Sequence, residues 1–353
     1  MPVPLSQLFQ ESPSNYAHFT GYTTATDKPW AKKYPPITEL VVHTSVVVDE
    51  AGKEKTIADW DTAMLPSFDD DRLRLNAHGE RPNRRRYRLD TESDMALWFH
   101  TEVSNVVLAA WNDNPAAVQS CEAKPWTEEP ISETVDVTYS LSAGDKPPLA
   151  IGEFKRNLIN VFEWRTGNLR ISQRLSRELR GYADKYKCPQ IFCFDGETLL
   201  LLQFRADNHN DIARETCQVD CWVLPRENAA GGCTLRDGLH RLLVQGFRRC
   251  QGLLAVEHLS IKGYVPQYRE LYSGRPVFCH AHGMLSYEHP ETGQENNGRL
   301  LDRQVDANDG SFYWRCNGQP MVDENNCWNE DAAAPITWHG VTPLQIRGRL
   351  KEN

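Results

Sequence analysis

Three side chains carry the most chemistry for their spacing: Asp136, then Glu153 and Lys155. Residues two apart in a β-strand share a face, so Glu153 and Lys155 point one way while Phe154 enters the opposite layer. A turn at Gly144, Asp145, Lys146 and Pro147 would fold this segment back on the preceding one and bring Asp136 to the same side. Two close carboxylates repel each other, which raises one pKa or demands a cation between them, and Mg²⁺ is the hard ion that oxygen ligands suit. Such an ion lowers the pKa of a water and neutralises charge on a scissile phosphate, with Lys155 placed to hold or help deprotonate the attacking water.

The elements that must position these groups are legible from period. Over 134–141, Val135, Val137, Tyr139 and Leu141 alternate with Asp136, Thr138 and Ser140, the pattern of a half-buried strand. The apolar run from Leu149 leads into Glu153 as its hairpin partner. Upstream, Thr91 with Asp94 three residues on predicts a capped helix to about residue 112 before Pro115, with Met95, Trp98, Phe99, Val106 and Ala110 as its apolar stripe. Glu102 falls inside that stripe. It either meets Lys155 or the shared ion, or lies at the stripe's edge and reaches water.

Downstream, Ile171, Leu175, Leu179, Tyr182 and Tyr186 are spaced for the buried side of a helix over 169–186, ended by Pro189. An apolar hairpin over 191–204 turns at Asp195 and Gly196, and a further helix is predicted over 235–254. The expected fold class is therefore α/β, a mixed central sheet flanked by helices, with N- and C-terminal elaborations. Three zones follow: an extension over 1–88 with a β-branched stretch at 40–48 and a basic run, a core over 89–207, and a C-terminal region over 208–353.

Composition narrows the classes further. In 353 residues, 40% are hydrophobic and 25% charged, enough apolar surface to offset chain entropy, which excludes a disordered or fibrous chain. The formal charge of −9 means that nothing global attracts a polyanion, so nucleic acid must be met by local basic surface or through metal. Two such surfaces stand out: Arg81, Arg84, Arg85, Arg86 and Arg88, and then Arg156, Arg165, Arg170, Arg174, Arg177 and Arg180. They could wall a groove for phosphates with the carboxylates between them.

No run of about 18 apolar residues predicts a membrane span, and the N-terminus lacks the pattern of a signal peptide, which points to an intracellular protein of the nucleus or cytoplasm. The ten cysteines form no C-x-x-C pair. Cys217, Cys221 and Cys233, and the cluster of Cys279, His280, His282, Cys316 and Cys327, do not follow a usual zinc spacing, so a structural Zn²⁺ is not expected.

Asp136, a hairpin turn, Glu153-Phe154-Lys155 at a strand end, a helix before and a helix and hairpin after together resemble the core of the PD-(D/E)xK (restriction-endonuclease-like) nuclease superfamily. The segment from Gln173 to Phe204 is similar to nuclease-like domains of fungal proteins. The likeness covers about 115 of the 353 residues. It implies that Asp136 and Glu153 bind Mg²⁺, or Mn²⁺ in its place, that Lys155 assists the water, that Glu102 supports the metal, and that Gln173 orients substrate or Lys155. Glu178 occupies the spacing where that family's Gln more often sits. The residue before Asp136 is Val135 rather than Pro. The implied function is a Mg²⁺-dependent nuclease acting on nucleic acid, DNA rather than RNA, through a metal-activated water. Arg84, Arg85, Arg86, Arg156, Arg170, Arg174 and Arg177 are the expected phosphate contacts, no membrane partner is expected, and a homodimer is compatible. The alternative is an inactive nuclease-like interaction module, an intracellular effector or regulator binding nucleic acid or protein.

Overall fold

A computed structural model describes residues 2–13, 17–19, 23–24, 26–48, 52–64, 74–112, 117–123, 131–141, 146–228 and 230–254. Beyond these it describes 266–274, 276–279, 285–286, 302–305, 312–316 and 319–320. Its centre is a mixed sheet of seven strands: β1 (Leu40–Val42), β2 (Ala117–Ala123), β3 (Val135–Leu141), β4 (Pro148–Phe154), β5 (Gln190–Phe194), β6 (Thr198–Phe204) and β7 (Val219–Pro225), in the order β1-β7-β6-β5-β4-β3-β2. The meander β2-β3-β4 is antiparallel, β4 and β5 are parallel, β5-β6-β7 is antiparallel again, and β1 closes the far edge parallel to β7.

The parallel step from β4 to β5 needs a crossover, and two helices supply it: α2 (Val161–Thr166) and α3 (Gln173–Lys185). Their side of the sheet buries Ile151, Ile191, Cys193, Leu200 and Leu202 against Leu175, Leu179 and Tyr182. Helices α1 (Glu92–Phe99) and α4 (Leu235–Leu254) cover the opposite side, where Trp98 and Phe99 stack with Phe192 and Phe194 and meet Leu239, Leu243 and Phe247. Strands β4, β5 and β6 are buried along their whole length because both faces are covered, which is why they read as continuous apolar runs rather than alternating ones.

The alternation over 134–141 corresponds to β3: Val137, Tyr139 and Leu141 lie in the α1/α4 core, while Val135 at the strand's start falls into the other one. The Thr91–Asp94 capping box forms, and α1 continues through a wide turn at His100–Ser104 into Asn105–Leu108. The β-branched stretch over 40–48 divides at His43, so that β1 joins the sheet while Thr44–Val48 pairs with Glu54–Ala58 as a separate hairpin. The buried stripe expected over 169–186 is corrected at its start. Ile171 is 78% exposed rather than part of a buried stripe, because α3 begins only at Gln173. The sheet also takes strands from all three zones read from the sequence, β1 from the first and β7 from the third. Among the described residues, no helix is long and apolar enough to cross a membrane.

Candidate active site

The β3–β4 register pairs Thr138 with Ile151 and Val137 with Gly152, and its continuation sets Asp136 opposite Glu153, on the α3 side of the sheet. Asp136 is fixed there by its Oδ2, which accepts the Phe154 amide at 2.6 Å. Lys155 follows the end of β4 and is held by its own amide, which donates to the Phe194 carbonyl at the end of β5. Its Nζ lies 2.5 Å from Glu153 Oε1 and 3.1 Å from Glu178 Oε1. The acids and the amine predicted from the sequence thus meet at one end of the sheet.

Two further side chains complete the cluster. Glu178, in the middle of α3, is fully buried, and its position between Leu175 and Leu179 aims it at Lys155. Lys28 arrives from the N-terminal segment: its Nζ lies 3.1 Å from both Glu153 Oε1 and Glu178 Oε1 and donates to Tyr182 Oη at 2.8 Å. That segment continues as a 3₁₀ turn, Pro29–Lys33, pressed onto α3, where Trp30 packs on Tyr182. The approach requires Gly181, since a Cβ there would lie 2.4 Å from the Trp30 ring and 2.9 Å from Tyr34.

Burial raises the Glu153 carboxyl to about 8, with the neighbouring Asp136 charge adding to it and Lys155 opposing it. Burial also pushes Glu178 up, but the Lys155 and Lys28 ammoniums outweigh it and its net direction is down. Burial pulls both lysines down, and the Glu153 and Glu178 charges reverse this and raise them. Asp136 is raised, chiefly by burial. The two acids therefore shift in opposite directions, Glu153 up and Glu178 down, and a cation between Asp136 and Glu153 would reverse the Glu153 shift by favouring its charged form.

Glu153 Oε1 is bonded by both lysines, whereas its Oε2 is buried with no hydrogen-bond partner. A buried carboxylate oxygen without a donor, directly across from Asp136, is a donor set that suits a hard cation. Mg²⁺ needs only one or two protein carboxylates when water and substrate oxygens complete its shell. No group of three or more His, Cys, Asp or Glu side chains able to hold a metal occurs among the described residues. Glu92, the first residue of α1, acts on the same acid: its charge adds to the raising of the Asp136 carboxyl, and its Oε1 is buried without a hydrogen-bond partner.

Other predicted site residues lie elsewhere. Glu102 is buried, but α1 packs on the opposite face of the sheet from Glu153; its carbonyl accepts from Arg236 Nε, and its charge acts on Arg236 rather than Lys155. It does not join the Asp136–Glu153 cluster. Arg156 is fully buried, donating to the Leu89 carbonyl at 2.9 Å and to the Asp90 carbonyl, so it ties the chain before α1 to the end of β4 and presents nothing to a phosphate. Arg180 is likewise internal, on the Ile212, Arg214 and Pro36 carbonyls. Arg84, Arg85, Arg86, Arg170 and Arg174 are exposed, and Arg177 is partly so. Gln173 is exposed at the first position of α3, while Glu178 is the helix residue that reaches Lys155.

Cys217 and Cys221 are buried in the α2/α3 core, and Cys233 is partly buried, its sulfur accepting the Ala58 amide. His280, His282 and Cys327 lie outside the described residues. The same test that singled out Glu102, a carboxylate inside a buried helical stripe, also applies to Glu178. Lys28 carries no comparable signal, since its partners are 125 and 150 positions away. No family model matches the chain, and neither the curated proteins nor the solved structures contain a significant match.

Proposed function

We propose that the chain is a Mg²⁺-dependent phosphodiesterase of the PD-(D/E)xK type acting on nucleic acid, DNA in preference to RNA. The observation that carries this reading is the meeting of Asp136, Glu153 and Lys155 at adjacent strand ends, with a Glu153 oxygen buried and unbonded. A meander, a helical crossover and a parallel strand around these residues support the resemblance. Asp136 and Glu153 are the residues that would hold the ion. When bound, Mg²⁺ would supply charge neutralisation at the scissile phosphate and a more acidic water.

The chain's own contribution is positioning and charge. The Phe154 amide orients Asp136, and Glu178 fixes the Lys155 ammonium where it can stabilise negative charge developing on a phosphoryl oxygen. Raised by its carboxylate partners, Lys155 is an ammonium at neutral pH, so its role is to hold a proton and an oxygen rather than to act as a base.

A second reading has its own observation. Lys28 and Lys155 together supply two positive charges to the acids, so the cluster is compensated as an ion network. A binding module derived from a nuclease would keep this arrangement without cutting. Plasmid cleavage in Mg²⁺ or Mn²⁺ separates the two: the nuclease reading expects nicking that disappears in Asp136→Ala, Glu153→Ala and Lys155→Ala. Activity surviving all three substitutions contradicts it.

A further inference from the structure

Between the N-terminal segment and the first two turns of α3 lies a cleft of about 280 Å³ lined by Thr26, Lys28, Lys32, Gln173, Arg174 and Arg177. With Asp27 and Ala31 also lining it, four of its eight side chains are cationic in a chain whose formal charge is −9, and three of them, Lys32, Arg174 and Arg177, lie apart from the buried acids that hold Lys28. The one acid in its wall, Asp27, lies 3.3 Å from Lys32 with both side chains more than half exposed, and a pair so exposed to water neutralises little. Arg174 and Arg177 are three apart on α3 and project from neighbouring positions of one helical face. Arg177 also bonds the Lys32 carbonyl, which ties the two walls together. The amides just ahead of α3, those of Ile171 and Ser172, donate to the Glu163 carboxylate, so the cleft's positive charge comes from its side chains. Lys28 connects the cleft to the carboxylates, since its ammonium lies on Glu153 and Glu178.

We propose that this cleft is a phosphate-binding subsite that seats a phosphate group beside Glu153 without the help of a metal. Two guanidinium forks from one wall and an ammonium from the other offer donors from several directions, which matches a multiply charged tetrahedral oxyanion better than a planar carboxylate. The inference rests on the hydrolase reading only for what carries the phosphate, a nucleic-acid strand; the cleft and its charge stand without it.

Calorimetric titration of the full chain with inorganic phosphate, in EDTA and at an ionic strength fixed with chloride, tests the subsite directly. Saturable binding is expected, weakened about tenfold or more in Arg174→Gln/Arg177→Gln. It should be unchanged in Arg214→Gln, a surface arginine away from the cleft that pairs with Asp211. No saturable binding, or equal affinity in the double variant, overturns the proposal. Both substituted positions of the double variant project from the outer side of α3, and a matching thermal melt confirms that its fold is intact. A short single-stranded oligonucleotide that displaces phosphate supports a strand as the carrier; failure to displace it overturns the strand as carrier and assigns the cleft to free phosphate. Because no metal and no cleavage enter the measurement, phosphate binding without nuclease activity counts against the hydrolase reading alone. Metal-dependent cleavage without phosphate binding counts against the subsite alone.

Discussion

Glu153 concentrates the chemistry of the site in one carboxyl: one oxygen held by two ammoniums, the other buried and unbonded, and a pKa raised to about 8 by burial and by Asp136. The sign of its effect on stability follows from proton counts. Between 4.5 and about 8 the folded chain holds a proton on Glu153 that the unfolded chain has lost, so this group's contribution is fully present below 4.5 and is lost as pH rises toward 8. Glu153→Gln should flatten that slope in thermal melts across the window, and an unchanged slope would place the titration elsewhere. Asp136, Glu153 and Lys155 were legible in the sequence because alternation and a turn fix which strand residues face each other. Glu92 and Lys28 were not, since one approaches from a helix terminus and the other from a segment whose partners are more than a hundred residues away. Glu102 misled for a physical reason: a buried acid announces a partner without saying which, and here the partner is Arg236 across a helix interface.

Among the elements, the long helices and the inner strands were readable because burial on one or two faces imposes a period. Strand β2 was missed, since Ala117–Ala123 is a polar edge strand with Gln119, Ser120 and Cys121 in its middle. Helix α2 was missed because it is only six residues long and is fixed by its Asn160 cap and left-handed Gly167. The docking of α4 on β4 depends on one residue. A Cβ at Gly246 would lie 2.0 Å from the Leu149 carbonyl oxygen, a backbone atom that cannot rotate away. Gly246→Ala should therefore lower stability by about 1–3 kcal/mol in chemical denaturation, despite alanine's better helix propensity. A neutral or stabilising result would mean that the helix and sheet are less closely apposed than described.

At the scale of the whole molecule, the sequence zones do not describe independent units. Strand β7 pairs with β6 along its full length, and Asp220 on β7 gathers His43 at 2.7 Å, Gln203 at 3.0 Å and Arg205 at 2.6 Å, joining all three zones in one buried network. A fragment of residues 89–207 would expose the edge of β6 and lose α4 from the aromatic core. It is expected to be unfolded or aggregated by circular dichroism and sedimentation, whereas a folded, soluble fragment would show that β1, β7 and α4 are accessories. The N-terminal segment belongs to the same whole, because it brings Lys28 into the site and forms one wall of the cleft. The proposed chemistry stands on Asp136 and Glu153 forming one cation site, and Mn²⁺ titration followed by electron paramagnetic resonance reads that without requiring turnover. Uptake of Mn²⁺ by the native chain and its loss in Asp136→Asn, which keeps the shape of the side chain, is the predicted result. No uptake by the native chain, or equal uptake by the variant, would contradict it.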